Sequence, residues 1–182
     1  MSIMRKNWLL INLNKKSFLR VANKIFECQI GSGGFKKAEK KIEGDKSTPT
    51  GKWYLNTIFY RYDKLSRPIL KKKTNLKFNK ITKNCGWCDD IRSNNYNKHV
   101  KINFQTSYFN YEKLWREDEV YDIVIVISHN IKPTIKNKGS AIFLHCSFLD
   151  YRNTAGCIAL EKKDLVFLLK NLRRNTYIKI QN

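Results

Sequence analysis

Apolar and polar residues alternate along "SFLRVANKIFECQIG" (residues 17–31), the period-two pattern of strands with one buried face. "GKWYLNTIFYRY" (51–62) follows, rich in the β-branched and aromatic residues that pack well on a pleated surface. Further on, "DIVIVIS" (122–128) is an unbroken β-branched run, which predicts a strand covered on both faces. "SAIFLH" (140–145) is a second such run ending at His145, and "HNIKPTIKNKGS" between them reads as a turn-rich connection through Pro133 and Gly139. Helical spacing is rarer. It predicts a helix in "TSYFNYEKLWRE" (106–117) and another in "EKKDLVFLLKNLRR" (161–174), where Leu165, Phe167, Leu168, Leu169 and Leu172 are apolar and basic residues end the run. "NTYIKIQN" reads as a further strand. "KFNKITKNCGWCDDIRSNNYN" (77–97) has little period of either kind and predicts a long irregular loop, the sort of segment that more often carries function than ornament. The pattern as a whole is that of a mainly β, α+β domain.

Composition narrows this. A chain of 182 residues with 42% apolar and 13% aromatic content can build a sizeable core, and with 3 Pro, 8 Gly and no low-complexity run it shows no linker, so one domain over 1–182 is expected. The net charge of +21 favours anionic partners such as nucleic acid, an anionic membrane surface or a cell-wall polymer, although Lys, Asn and Ile abound everywhere in the chain. Five cysteines are an odd number, and a chain of this size does not need disulfide staples. At the N-terminus, a basic pair precedes only a short apolar run at Trp8 to Leu13, from which no export signal is readable. No stretch approaches the roughly 20 apolar residues of a transmembrane helix.

Chemistry concentrates late in the chain, in "HCSFLDYRNTAGCIAL" (145–160). Gly156 allows close backbone approach before Cys157, and "CIAL" starts an apolar strand, so the thiol is expected at a turn-to-strand junction where N–H groups can converge on an oxyanion. If the strand ending at His145 is its neighbour, imidazole and thiol meet at one end of a sheet, as thiol activation requires. Read locally, a buried inert thiol beside an incidental histidine is the favoured reading. Cys85-Gly-Trp-Cys88 is a C-x-x-C, but zinc would need two further ligands with only His99 nearby, and no thioredoxin-like βαβ pattern surrounds it, so no metal or cofactor is expected. The glycines of "IGSGGFKKAEKKIEGDKSTPTGKW" (30–53) lack a phosphate-loop spacing and read as turns.

Taken together, "EGDKSTPTGKW", "AIFLHCS" and "TAGCIAL" resemble the L,D-transpeptidase (YkuD-like) catalytic domain family, whose pattern is an "EGD…TPTG" loop, then a histidine, then a nucleophile after S/T-x-G. "CGWCDDIRSNNYN" and "LWREDEVYDIVIVISHN" resemble a proteobacterial branch of it, and the motif-bearing stretch covers about residues 31–169. The resemblance implies a β-sandwich of that family with a few short helices, and a cysteine acyl-enzyme that cross-links peptidoglycan stem peptides through diaminopimelate. It makes Cys157 the nucleophile, His145 the base oriented by the Cys146 carbonyl, and the N–H groups of Ala155, Gly156 and Cys157 the oxyanion hole. Trp87, Asp89, Asp90, Tyr96 and Asn97 would shape the substrate site, Asp89 or Asp90 receiving an ammonium, with a loop cap on Arg92 as the competing reading of that Asp pair. Two departures stand out: Ala159 occupies a position where the family often has Arg or Asn, and Ala155 one where it often has His. Arg116 is the expected substitute cation for a substrate carboxylate. The resemblance implies an envelope (periplasmic) location, against a cytoplasmic one suggested by the N-terminus. Two alternatives stay open: carboxypeptidase or endopeptidase action by the same cysteine, and a non-catalytic wall- or nucleic-acid-binding module.

Overall fold

The computed structural model describes residues 7–13, 16–65, 76–103, 108–173 and 175–181. Its strands are β1 (Asn7–Leu13), β2 (Lys16–Val21), β3 (Lys24–Gln29), β4 (Phe35–Lys37), β5 (Thr48–Tyr60), β6 (Lys77–Lys80), β7 (Cys85–Cys88), β8 (His99–Lys101), β9 (Tyr111–Lys113), β10 (Ile123–Ile127), β11 (Phe143–Cys146), β12 (Ile158–Leu160) and β13 (Tyr177–Ile180). Among the described residues there is one α-helix, α1 (Lys162–Lys170), and one 3-10 turn at Ala38–Lys40. The mainly β class expected from the pattern is what the chain adopts.

Neighbouring strands follow the order β10-β11-β12-β3-β2-β1-β13-β5, and β5 pairs back onto β10. The sheet therefore closes on itself. Closure depends on the 13-residue length of β5, whose residues 51–54 pair with β13 and whose residues 55–60 run along β10. Alternate side chains point into the ring: Trp8, Leu10, Leu19, Val21, Ile58, Ile125, Leu144, Ile158, Ile178 and Ile180 form one cluster with Leu165, Leu168, Leu169 and Leu172. Each such side chain contributes ~1.5–3 kcal/mol by leaving water, which is why the alternation is kept across so many strands. The three strands β8-β7-β9 form a separate small sheet. A second cluster joins the two: Phe59, Trp87, Leu114, Val124, Val126, Phe143 and Cys157 pack together. The run in β10 is thus buried on both sides as expected, with Ile123, Ile125 and Ile127 in one cluster and Val124 and Val126 in the other.

Some expectations change. "TSYFNYEKLWRE" is not a helix in its described part, residues 108–117; Tyr111–Lys113 is β9, paired with β7 through Trp87↔Glu112. That pairing satisfies backbone groups and sets Tyr111 against Cys88, Val100 and Ile102, which a helix could not do. The irregular loop expected over 77–97 contains β6 and β7. The Trp8–Leu13 run belongs to β1 and places Trp8 and Leu10 in the core. Residues 1–6 of the N-terminal stretch, and residues 106, 107 and 174 of the two expected helices, lie outside the described residues. All five cysteines are free. No three Cys, His, Asp or Glu side chains converge as metal ligands among the described residues, and none of its helices is long and apolar enough to cross a membrane.

Candidate active site

Cys157 stands immediately before β12, which runs parallel to β11 with His145 opposite Ala159. Both Cys157 and His145 line one cavity of about 270 Å³, and His145 is the only one of the three histidines that does so. Its floor is the second hydrophobic cluster, and its walls come from the loop before β5, from β9, and from the segments leading into β10 and β11.

The loop bearing Cys157 is tied down by hydroxyls. Thr154 Oγ1 accepts the Gly156 N–H at 3.1 Å and donates to the Cys157 carbonyl at 2.7 Å. Thr48, in the "TPTG" segment, accepts the Gly31 N–H at 2.9 Å and donates to the Gly156 carbonyl at 2.9 Å. One side chain thus joins three segments that are distant in sequence. The contact is close enough to require glycine: a Cβ on Gly31 would lie 2.2 Å from the Lys46 carbonyl oxygen, and Gly156 has φ of 133°. Asp45 stabilises the same loop from outside, accepting from Lys41 Nζ at 2.5 Å, from the Ser47 hydroxyl and from two backbone N–H groups. Burial raises its pKa, but these donors outweigh burial and hold it far below the usual carboxylate range.

His145 is buried, with Tyr121 and Phe148 edge-on to its ring at 5.3 and 6.3 Å. Its Nδ1 lies 2.8 Å from the Cys146 carbonyl, which can only accept, so Nδ1 carries the proton and Nε2 keeps a free lone pair. Burial first, and then the nearby Arg116 charge, pull its pKa from 6.5 to about 4, so the ring is neutral at neutral pH. Burial, reinforced by Glu112, raises the Cys157 thiol well above its ordinary value. The thiol donates to the Ala141 carbonyl at 3.0 Å and receives the Phe143 N–H at 3.4 Å. Thiol and imidazole share the cavity as neutral partners and not as a preformed ion pair.

The other expected residues separate into those at the cavity and those behind it. Asp89, Ala155 and Arg116 line it. Arg116, expected as a free cation, is held by Asp118, with Nε to Oδ1 at 2.9 Å, because the carboxylate two residues on meets the guanidinium fork. The Gly156 N–H, expected in an oxyanion hole, is taken by Thr154. Asp90 is the loop cap: Arg92 Nε and Nη2 bond its two oxygens at 3.0 Å each, and it does not line the cavity. Trp87 is a core residue, packed edge-on against Phe143 at 5.1 Å, with its Nε1 donating to Asn97 Oδ1 at 2.9 Å. Asn97 also accepts the Ala141 N–H at 3.1 Å, fixing a non-glycine residue at φ of 51° whose carbonyl accepts the thiol's hydrogen bond. Tyr96 donates to Glu43. Ala159 is completely buried opposite His145, where a long polar side chain has no room. Sequence reasoning missed Glu43, Glu112, Tyr121 and Ser140, which all line the cavity. Glu43 stands in the "EGD" motif without a role read for it, and Glu112 was concealed by the expected helix.

Chemically, a thiol, a neutral imidazole with a free lone pair and a carboxylate-bearing wall make a site suited to acyl transfer through sulfur. The family profile of the L,D-transpeptidase catalytic domain (YkuD) matches residues 6–180, and the chain belongs to that family. Among solved structures, L,D-transpeptidase 1 of Mycobacterium tuberculosis is similar at 8% identity and a TM-score of 0.40, over 99% of this chain and 62% of that one. This chain therefore spans less than two thirds of that protein's length. No curated protein matches.

Proposed function

We propose that the chain is a peptidoglycan L,D-transpeptidase in which Cys157 is the nucleophile and His145 the general base. The supporting observation is that His145 presents an unprotonated Nε2 to the cavity that Cys157 lines, its Nδ1 anchored on the Cys146 carbonyl. In the first step Sγ leaves the Ala141 carbonyl, gives its proton to Nε2 and attacks the carbonyl carbon that joins diaminopimelate to the D-residue of a stem peptide. The N–H groups of Ala155 and Cys157 receive the oxyanion. His145 returns the proton to the departing amine, leaving a thioester on Cys157 and a free D-amino acid. An amine of a second stem then attacks the thioester, passes its proton to His145, and the thiol is regenerated with a new amide cross-link.

Such a substrate places the protein in the cell envelope, the periplasm of the proteobacterial branch its motifs resemble. The test is incubation with a purified disaccharide-tetrapeptide followed by mass spectrometry. A cross-linked dimer, together with a thioester adduct abolished in Cys157→Ser and lost in His145→Ala, supports the reading. Tripeptide without dimer would make the protein a carboxypeptidase. The absence of any adduct, with peptide or with a carbapenem, would leave a wall-binding module.

A further inference from the structure

The outer wall of the closed ring is covered on one side only. There the small sheet β8-β7-β9 packs through Trp87 onto Phe59, Val124 and Phe143, which point outward from β5, β10 and β11, and the Cys157 cavity lies on the same side. In the strand order β1 and β2 stand farthest from β10 and β11. Among the described residues no second layer covers the arc around them, from the start of β5 through β13, β1 and β2 to β3. Strand register assembles one row of outward residues across that arc. Lys52 pairs with Lys179, Lys179 with Leu9, Leu9 with Arg20, and Arg20 with Ile25. Tyr54 and Tyr177 pair on one flank of the row, and Ile11 and Phe18 on the other. Alternation puts all of these outside while their chain neighbours Trp8, Leu10, Leu19 and Ile178 fill the core. Ile25 is 63% and Tyr54 49% exposed. Glu27, the one carboxylate on this outer face, is held by Lys16 at 3.1 Å, so Lys52, Lys179 and Arg20 have no carboxylate partner among the described residues.

An exposed apolar row marks an interaction surface, and unpaired cations set within it draw negative charge. Together they describe an anionic lipid surface, whose acyl boundary takes up aliphatic groups while its headgroup phosphates meet the cations. We propose that this arc docks the protein on an anionic bilayer, with Leu9, Ile11 and Ile25 entering the acyl boundary and Lys52, Lys179 and Arg20 meeting the phosphates. Tyr54 and Tyr177 sit at headgroup level, where amphipathic rings and snorkelling lysines are favoured. Single-stranded nucleic acid matches the charge but not the shape. Bases need open ring faces to stack on, whereas Tyr54 and Tyr177 stand edge to face at 71° and Lys52 Nζ lies over the Tyr177 ring at 4.2 Å. Aliphatic side chains add nothing to such stacking. A bilayer on this arc lies across the ring from Cys157 and leaves the cavity clear, so the docking is independent of the reading of Cys157 as nucleophile.

The experiment is vesicle flotation of the intact chain, with the bound fraction measured against lipid concentration. Wild type should float with vesicles of equal parts phosphatidylglycerol and phosphatidylcholine, stay behind with phosphatidylcholine alone, and be released by concentrated salt. Arg20→Gln/Lys52→Gln/Lys179→Gln should bind the anionic vesicles roughly a hundredfold more weakly, about fivefold for each cation. A control of equal charge, Lys83→Gln/Lys98→Gln/Lys113→Gln on and around the small sheet, should stay within about twofold of wild type, because those lysines lie beyond the screening length from the lipid. Ile25→Ser leaves the charge unchanged and should weaken binding severalfold. Wild type that fails to float with anionic vesicles, or floats equally with phosphatidylcholine, overturns the proposal, and that comparison needs no variant to fold. Equal losses in the two triple variants also overturn it, since net charge and not this face is then what binds. Unchanged binding by Ile25→Ser does the same for the apolar contact. A single-stranded oligonucleotide that displaces wild type from the vesicles, and loses its own binding in the first triple variant, assigns the face to nucleic acid instead.

Discussion

Acidification should weaken the native fold through His145. In the folded chain this ring takes a proton only at a pKa of about 4, because it is buried against Tyr121 and Phe148 and stands near Arg116. In the unfolded chain it takes one near pH 6.5. Between those two values the unfolded state binds more protons, so stability is retained above pH 6.5 and lost as pH falls toward 4. At ~1.4 kcal/mol per pH unit, that window removes ~3 kcal/mol, with no further loss from this group below it. The assay is urea unfolding followed by tryptophan fluorescence from neutral pH to 4, for wild type and His145→Gln. Glutamine cannot take the proton, and the buried carboxylates titrate in both proteins, so the difference isolates His145. The wild-type curve should fall ~3 kcal/mol further than the variant's over the window. Parallel curves would refute the argument that burial holds this imidazole neutral.

Three further outcomes follow from the same geometry. Arg116→Ala should move the acid limb of kcat/KM only modestly above about 4, because burial is the larger cause of the low His145 pKa and the guanidinium charge the lesser one; a limb that reaches 6.5, or one that does not move, counts against this, and a raised KM would separately mark a substrate carboxylate. Trp87→Ala should lower stability by ~3–5 kcal/mol in a thermal melt, as the packing on Phe143 and Phe59 is lost, while KM for peptide stays near wild type because Trp87 does not line the cavity. Gly156→Ala should abolish thioester formation, read by intact mass, and cost ~1–3 kcal/mol of stability, since a Cβ there meets the Ser47 carbonyl at 3.0 Å from a backbone at φ of 133°.

Long or strongly patterned segments were legible in the chain. The alternation around Phe18 and Phe26, the unbroken run Ile123–Ile127, and the spacing of Leu165, Leu168, Leu169 and Leu172 each gave the element that forms. Of the strands of three or four residues, β11, β12 and β13 were legible as apolar or alternating runs, whereas β4, β6, β7, β8 and β9 were not, because they hold fewer than two full alternations and no apolar run. Tyr111–Lys113 looked helical for that reason, and its place depends on pairing with Trp87 and Gly86, more than twenty residues earlier. At the site, Cys157 and His145 could be picked out through three separated motifs. Asp89 and Asp90 could not be told apart, since neighbours in an extended chain point opposite ways: one meets Arg92, the other the cavity. Trp87 and Asn97 were placed near the site but assigned a contact role; they support Phe143 and Ala141 from behind.

The closed strand order has a consequence for how a peptide can be read. β12, which follows the nucleophile, has β11 on one side and β3 on the other, and β11 is likewise occupied on both sides. Neither offers an unpaired edge, so an incoming chain cannot extend this sheet as an added strand and gain affinity from a ladder of backbone hydrogen bonds. On the proposed reading, a stem peptide is held through its side chains and termini instead. A sheet closed in this way leaves recognition to the few atoms that reach the bottom of the cavity.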